Sequence, residues 1–116
     1  MKCSMNCRIE TSDIFERQLK SLAKRYPSLK ADIAQLRSEL FENPFMGIDL
    51  GKHLRKIRLA ITSKGKGKSG GARVITYMIT VQEDGIEVTL LTIYDKSDRE
   101  NITDKELLDL LKQCGL

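Results

Sequence analysis

Lys56 and Arg58 stand two residues apart in the run RKIRLAIT, where Ile57, Leu59 and Ile61 alternate with Lys56, Arg58 and Ala60. Strict alternation predicts a strand with its apolar side on a core. Both cations then share the other side, roughly 6.5–7 Å apart by the rise of a strand, which suits a phosphodiester and its neighbour. Arg73 opens the next apolar stretch, and Tyr94 and Lys96 lie at the end of the one after it. Fixed cations stabilise the charge that gathers on a phosphate in its transition state. A base must also take one proton and an acid must give another. A lysine crowded by other cations can act as the base, and Lys56 has such neighbours in Arg58 and Arg73. One reaction suits these groups without a metal: attack of the 2′-hydroxyl of RNA on its own 3′-phosphodiester. DNA lacks that hydroxyl and would escape.

These residues belong to a wider field. From Leu50 to Gln82 stand eight basic residues and no acid, against a net charge of only +4 for the chain. The positive charge is therefore local, and a local basic field favours a polyanion, of which nucleic acid is the usual one. Lys52, His53, Arg55, Lys64, Lys66 and Lys68 are the candidate contacts to RNA backbone. The plainer reading is a solvated, repulsive loop.

Several tempting motifs fail on context. Gly65, Gly67 and Gly70 match GxGxxG, but a dinucleotide site needs a helix after the glycines, and here a strand follows. Gly67-Lys68-Ser69 ends like a phosphate-binding loop, but Thr62 occupies the place of its first glycine. His53 is the one histidine and has no nucleophilic Ser or Cys beside it, so no hydrolase triad can be assembled. The basic stretch holds no acid, so the clustered carboxylates of a metal-dependent nuclease are missing. The expectation is a site with no metal and no cofactor.

Apolar residues make up 41% of the chain and charged residues 31%, which predicts one folded domain over residues 1–116 rather than a disordered chain. No run of about 18 apolar residues exists to span a membrane. The start MKCSMNCRIE has no apolar core, which predicts no secretory signal, and Met5 could equally be the natural start. Cys3, Cys7 and Cys114 are odd in number and have no CxxC spacing, which argues against a zinc site or a disulfide framework. Reduced thiols in a cytoplasmic protein are expected.

The elements that must carry the site follow in order. Residues 5–10 alternate as a half-buried strand, with Met5, Cys7 and Ile9 on one face. Thr11 and Ser12 offer an N-cap to a helix whose stripe is Phe15, Leu19, Leu22, Ala23 and Tyr26, and Pro27 stops it. Ser28 can cap a second helix with the stripe Leu29, Ile33, Leu36 and Leu40, ended by Asn43-Pro44. The short link predicts an antiparallel helical hairpin. Residues 45–51 read as a loop with apolar anchors. After the strand of Lys56 and Arg58, residues 63–71 (SKGKGKSGG) read as a turn or flexible loop. Residues 72–81 and 86–94 are strands, joined at Asp84-Gly85 by a hairpin turn. Thr103 to Glu106 is a capping box for a last helix with Leu107, Leu108, Leu110 and Leu111, and Gly115 follows it as a C-cap. The order is β-α-α-β-β-β-α, and the class is α+β with a largely antiparallel sheet.

Three segments, FERQLKSLAKRYPSLKADI, KIRLAITSKGKGKSGGARVITY and LLTIYDKSDRENIT, resemble the RelE/ParE-like toxin superfamily, nearest to its RelE and HigB-type members. The resemblance runs from about Asn6 to Leu111. It implies the same small α+β fold and a metal-independent endoribonuclease that enters the ribosome and cuts mRNA. It also implies a cognate antitoxin, such as a helix-turn-helix protein encoded beside the toxin, with which it represses its own operon. The family's cationic pair falls on Lys56 and Arg58, and its arginine on the following strand falls on Arg73. The catalytic end of the last strand falls on Tyr94-Asp95-Lys96-Ser97. There the chain departs from the best-known pattern: Ser97 replaces an arginine, and Thr103 stands near the place of a tyrosine. Tyr94 and Lys96 are the candidates to move protons instead. Two other readings stay open, a ParE-like inhibitor of DNA gyrase and a non-catalytic RNA-binding module.

Overall fold

In the computed structural model, which describes residues 6–81 and 85–116, the chain builds a five-stranded sheet in the order β1-β5-β4-β3-β2. The strands are β1 (Asn6–Thr11), β2 (Ile48–Gly51), β3 (Leu54–Leu59), β4 (Ala72–Thr80) and β5 (Gly85–Asp95). The helices are α1 (Asp13–Arg25), α2 (Leu29–Glu42) and α3 (Asp104–Gln113). Only the β1–β5 pair is parallel; the other three are antiparallel. The expected α+β class holds. Met5 and the Asp84 half of the expected hairpin turn lie outside the described residues.

The two faces of the sheet have different fates. On one face, Phe15 of α1 and Leu29, Ile33, Leu36 and Leu40 of α2 pack on Ile57, Leu59, Val74, Val88, Leu90 and Ile93. Phe15, Leu29 and Leu40 are fully buried, and each such side chain contributes about 1.5–3 kcal/mol by leaving water. On the other face, Leu107 and Leu111 of α3 cover Leu54, Ile75 and Leu91. That cover is partial: Arg58 on the same face stays exposed, while Arg73 and Tyr94 are buried.

The helix ends were legible, with one exception. Ser12 caps α1 by accepting from the Phe15 amide at 2.9 Å, and Thr103 and Glu106 form the full capping box of α3. Ser28 precedes α2 but makes no cap hydrogen bond. Its hydroxyl is spent on Asp32 and Ser63 (2.8 and 2.9 Å), which ties α2 to the loop after β3.

Two local features depart from the sequence reading. The loop expected at residues 45–51 contains β2, a short edge strand with Ile48 exposed. Its register partners on β3 are Lys56, Arg55 and Leu54. In β5, Ile75 pairs with Thr92 but Thr76 pairs with Leu90, so Leu91 is an extra residue, a β-bulge. Ser12 secures it: its amide donates to the Leu90 carbonyl at 3.1 Å and its hydroxyl to the Leu91 carbonyl at 2.7 Å. A continuous apolar run hides such a bulge, because both faces read alike.

Candidate functional site

Alternation along β3 and β4 places Lys56, Arg58, Arg73 and Ile75 on the face that carries α3. Arg58 pairs with Arg73, and Arg73 with Tyr94, so the three form one row across three strands. Lys56 lies one row further along, opposite Ile75. Among the described residues the side chains of Lys56 and Arg58 make no ion pair or hydrogen bond. Arg58 is exposed and Lys56 half-buried. The site is thus a strip of sheet with three cations and a phenol and no acid opposite them.

Arg73 differs from its partner. It is 8% exposed, and its guanidinium donates to the carbonyls of Lys68 (2.9 Å), Ala72 (3.1 Å) and Ser69 (3.2 Å). A buried guanidinium is tolerable only when its donors are satisfied, and here the glycine-lysine loop satisfies them. Arg73 therefore fastens the loop as well as adding positive potential to the row.

That loop, expected as a turn or flexible segment, is built into the fold. It starts in a 3₁₀ turn, Thr62–Lys64, and leaves it through Gly65 at φ 71°. The amide and hydroxyl of Thr62 donate to Asp32 at 3.0 and 2.6 Å. At its far end Gly71 packs so closely on β3 that an added Cβ would stand 2.0 Å from the Leu59 carbonyl oxygen. Lys66 and Lys68 remain exposed. Lys64 does not: its side chain is 11% exposed, and its Nζ donates to Asp95 and to Ser97, both at 2.6 Å. It was expected among the backbone contacts; the geometry makes it a strut.

Asp95 is the hub of that strut and was not singled out from the sequence. Its carboxylate has no exposed surface and also accepts from Arg25 at 2.5 Å, from the Tyr26 hydroxyl and from the Ser97 amide. Burial alone would raise its pKa, but Lys64, Tyr26 and the Ser97 amide together hold it at about 2. It joins the end of α1, the loop and the end of β5. A lone aspartate in a polar tail gives no sequence signal of this, because its partners lie about 30 and 70 residues away.

Tyr94 is 7% exposed and its hydroxyl has no partner among the described residues. Burial raises its pKa, while Arg73 and Arg99 pull the other way. The phenol is thus protonated at neutral pH, with its hydroxyl buried and its proton uncommitted among the described residues. Arg99 lies over its ring, 5.4 Å from the centroid, held by both carboxylate oxygens of Glu106 at 2.8 Å. Lys96, the other expected proton carrier, points to the turn after β5: its Nζ donates to the Glu100 carbonyl at 3.1 Å.

The remaining expected contacts scatter. Lys52 and His53 form the exposed tip of the β2–β3 hairpin, both in the left-handed region, with His53 edge-on to Tyr77. Arg55 points to the opposite face from Lys56. It bonds the Met46 carbonyl at 3.3 Å and lies 3.8 Å from Asp49. Among the described residues no His, Cys, Asp or Glu cluster could hold a metal, and no helix is long and apolar enough to cross a membrane.

The family model described as the RelE toxin of the RelE/RelB toxin-antitoxin system matches residues 7–115, nearly the whole chain.

Proposed function

This chain belongs to the RelE toxin family, and on that premise we propose that it is a metal-independent endoribonuclease that cuts mRNA on the translating ribosome. As the toxin of a toxin-antitoxin system it has a cognate antitoxin for partner. A small helix-turn-helix protein encoded beside it is the antitoxin we expect.

The observation that carries the enzymatic reading is the Arg58–Arg73–Tyr94 row. Like charges directly opposite each other destabilise a sheet, so an unneutralised arginine pair invites an anion. A phosphodiester seated there places its non-bridging oxygens against Arg58 and the field of Arg73. Lys56, one row along, is in position to accept the proton of the attacking 2′-hydroxyl. The P–O5′ bond then breaks, leaving a 2′,3′-cyclic phosphate, and Tyr94 gives its proton to the 5′ oxygen once the bound RNA has uncovered its buried hydroxyl. Lys66 and Lys68 meet the RNA backbone beside it. Tyr94, not Lys96, is the acid of this scheme, because its hydroxyl is unpartnered while Lys96 is engaged.

The test is induction in bacteria followed by mapping of mRNA 5′ ends. Cuts should appear within translated frames and vanish when initiation is blocked. A DNA damage response without cuts would instead point to gyrase, and ribosome binding without cuts to a non-catalytic module.

A further inference from the structure

β1 stops at Thr11, opposite Leu90, so the last five residues of β5 have no strand on that side. Gln18 of α1 takes its place in part. Its Oε1 accepts from the Ile93 amide at 2.9 Å and from the Thr92 hydroxyl at 2.8 Å. A backbone N–H can only donate, so the amide orientation of Gln18 follows from its partners. Its nitrogen, with two N–H donors, is turned away from β5 and donates to no group among the described residues.

Beside Gln18 opens a cleft of about 380 Å³, within the size range of small-ligand sites. Leu22 and Ile93 make its apolar walls; Arg17 and Arg99 line it beside Asp95 and Asp98, with Arg99 held by Glu106 and both aspartates paired with Arg25. Tyr94 lines it too. That residue is common to the cleft and to the row that faces the scissile phosphate. Apolar walls, an aromatic residue, one fixed pair of N–H donors and flanking cations are what a single nucleotide asks of a protein. The base stacks on side chains and is read at its edge, while the phosphate meets arginine.

We propose that this cleft seats the nucleotide next to the scissile bond and that Gln18 reads the acceptor edge of its base. The inference rests on the endoribonuclease reading and adds a determinant of sequence preference to it. Bases that present carbonyl or ring-nitrogen acceptors to Gln18 are favoured over those that present an amino group there.

Gln18→Glu tests it. Glutamate keeps the oxygen that accepts from Thr92 and Ile93 but replaces the N–H donors with a second acceptor. The variant should fold and cut, with the base preference beside the cut changed by about tenfold in 5′-end mapping, the size of one lost base-edge contact. Titrating wild-type protein with each mononucleotide should shift the NMR signals of the Gln18 side-chain amide and the Ile93 amide, and to different extents for different bases. Should Gln18→Glu unfold, Ser21→Trp, an exposed position on the rim, fills the cleft and should block those shifts while α1 stays intact. An unchanged base preference in an active Gln18→Glu protein, or mononucleotides that leave the Gln18 amide unmoved, overturns the inference. Wild-type protein that binds mononucleotides at Gln18 yet cuts no mRNA would sustain the cleft and overturn the enzymatic reading instead.

Discussion

Arg58 and Arg73 are register partners on adjacent antiparallel strands, and among the described residues no carboxylate pairs with either. Opposed like charges cost a sheet about 0.2–1 kcal/mol. Arg58→Ala should therefore raise the melting temperature by roughly 1–5 °C, since about 1 kcal/mol moves a small domain by several degrees. The same change should slow single-turnover mRNA cleavage by about 10²–10³-fold, the usual effect of losing one transition-state donor. A variant that is less stable and fully active would contradict the assignment of this pair.

Tyr94→Phe removes a hydroxyl that bonds to nothing among the described residues. Its effect on stability should stay within about 0.5 kcal/mol, because no intramolecular partner is orphaned. Cleavage should fall by at least about 10²-fold, the scale of a lost general acid. Burial raises the pKa of the phenol, so the alkaline limb that it imposes on the wild-type rate should lie above the ordinary tyrosine range, and the variant should lack that limb. Rates measured against pH with leaving-group-activated substrates would decide it.

Asp95 has its pKa lowered from 3.8 to about 2 in the fold. A carboxyl depressed in this way binds protons more readily when unfolded, so it stabilises the protein above about pH 4 and loses that contribution as pH falls toward 2. The shift corresponds to about 2 kcal/mol. Chemical denaturation followed from pH 5 to pH 2 should show the loss. In Asp95→Asn that component should be missing, and the protein should be about 3–5 kcal/mol less stable at neutral pH, because Lys64 is left buried without its partner. Equal acid sensitivity in the two proteins would show that Asp95 is not the hub described.

At the hairpin tip Gly51, Lys52 and His53 are left-handed in succession, at φ 83°, 53° and 68°. Side chains with a Cβ pay about 1 kcal/mol or more for that region, and two-residue hairpin loops prefer Asn-Gly there. Lys52→Asn/His53→Gly should therefore gain about 1–2 kcal/mol in thermal unfolding. If these exposed side chains meet RNA, the stabilised variant should bind ribosomes more weakly, with a salt slope shallower by about 1. Gain in stability with unchanged binding would leave the tip a mere turn.

The alternation of Lys56 to Ile61 was enough to set two cations on one open face, and the helical stripes and caps gave both helical layers. What the residues alone could not give was distance. Lys64 looked like one more solvated lysine in a glycine loop, and only the fold brings the buried Asp95 to it. Arg73 looked like a phosphate ligand, but its first obligation is to carbonyls of residues just before it. Arg99 sits seven residues from Glu106, too far for a pair within one helix turn, and meets it because the chain folds back after β5. Hydrophobic periodicity is a local signal, whereas the partners of buried charge are set by topology.

The bulge at Leu91 governs which way the end of β5 looks. Without it, Tyr94 would share the phase of Val88 and Leu90 and turn toward the helical hairpin, and Asp95 would turn out to the open face. Deleting Leu91 is a different change: it takes out the extra residue itself, so Thr92 should follow Leu90 in a regular ladder while Tyr94 and Asp95 keep the faces they hold. New contacts in NMR spectra of that variant between the Tyr94 ring and the methyl groups of α1 or α2 would contradict this. In genetic terms the strand carries a reading phase of its own: the bulge absorbs one extra codon, and its loss leaves the site in phase.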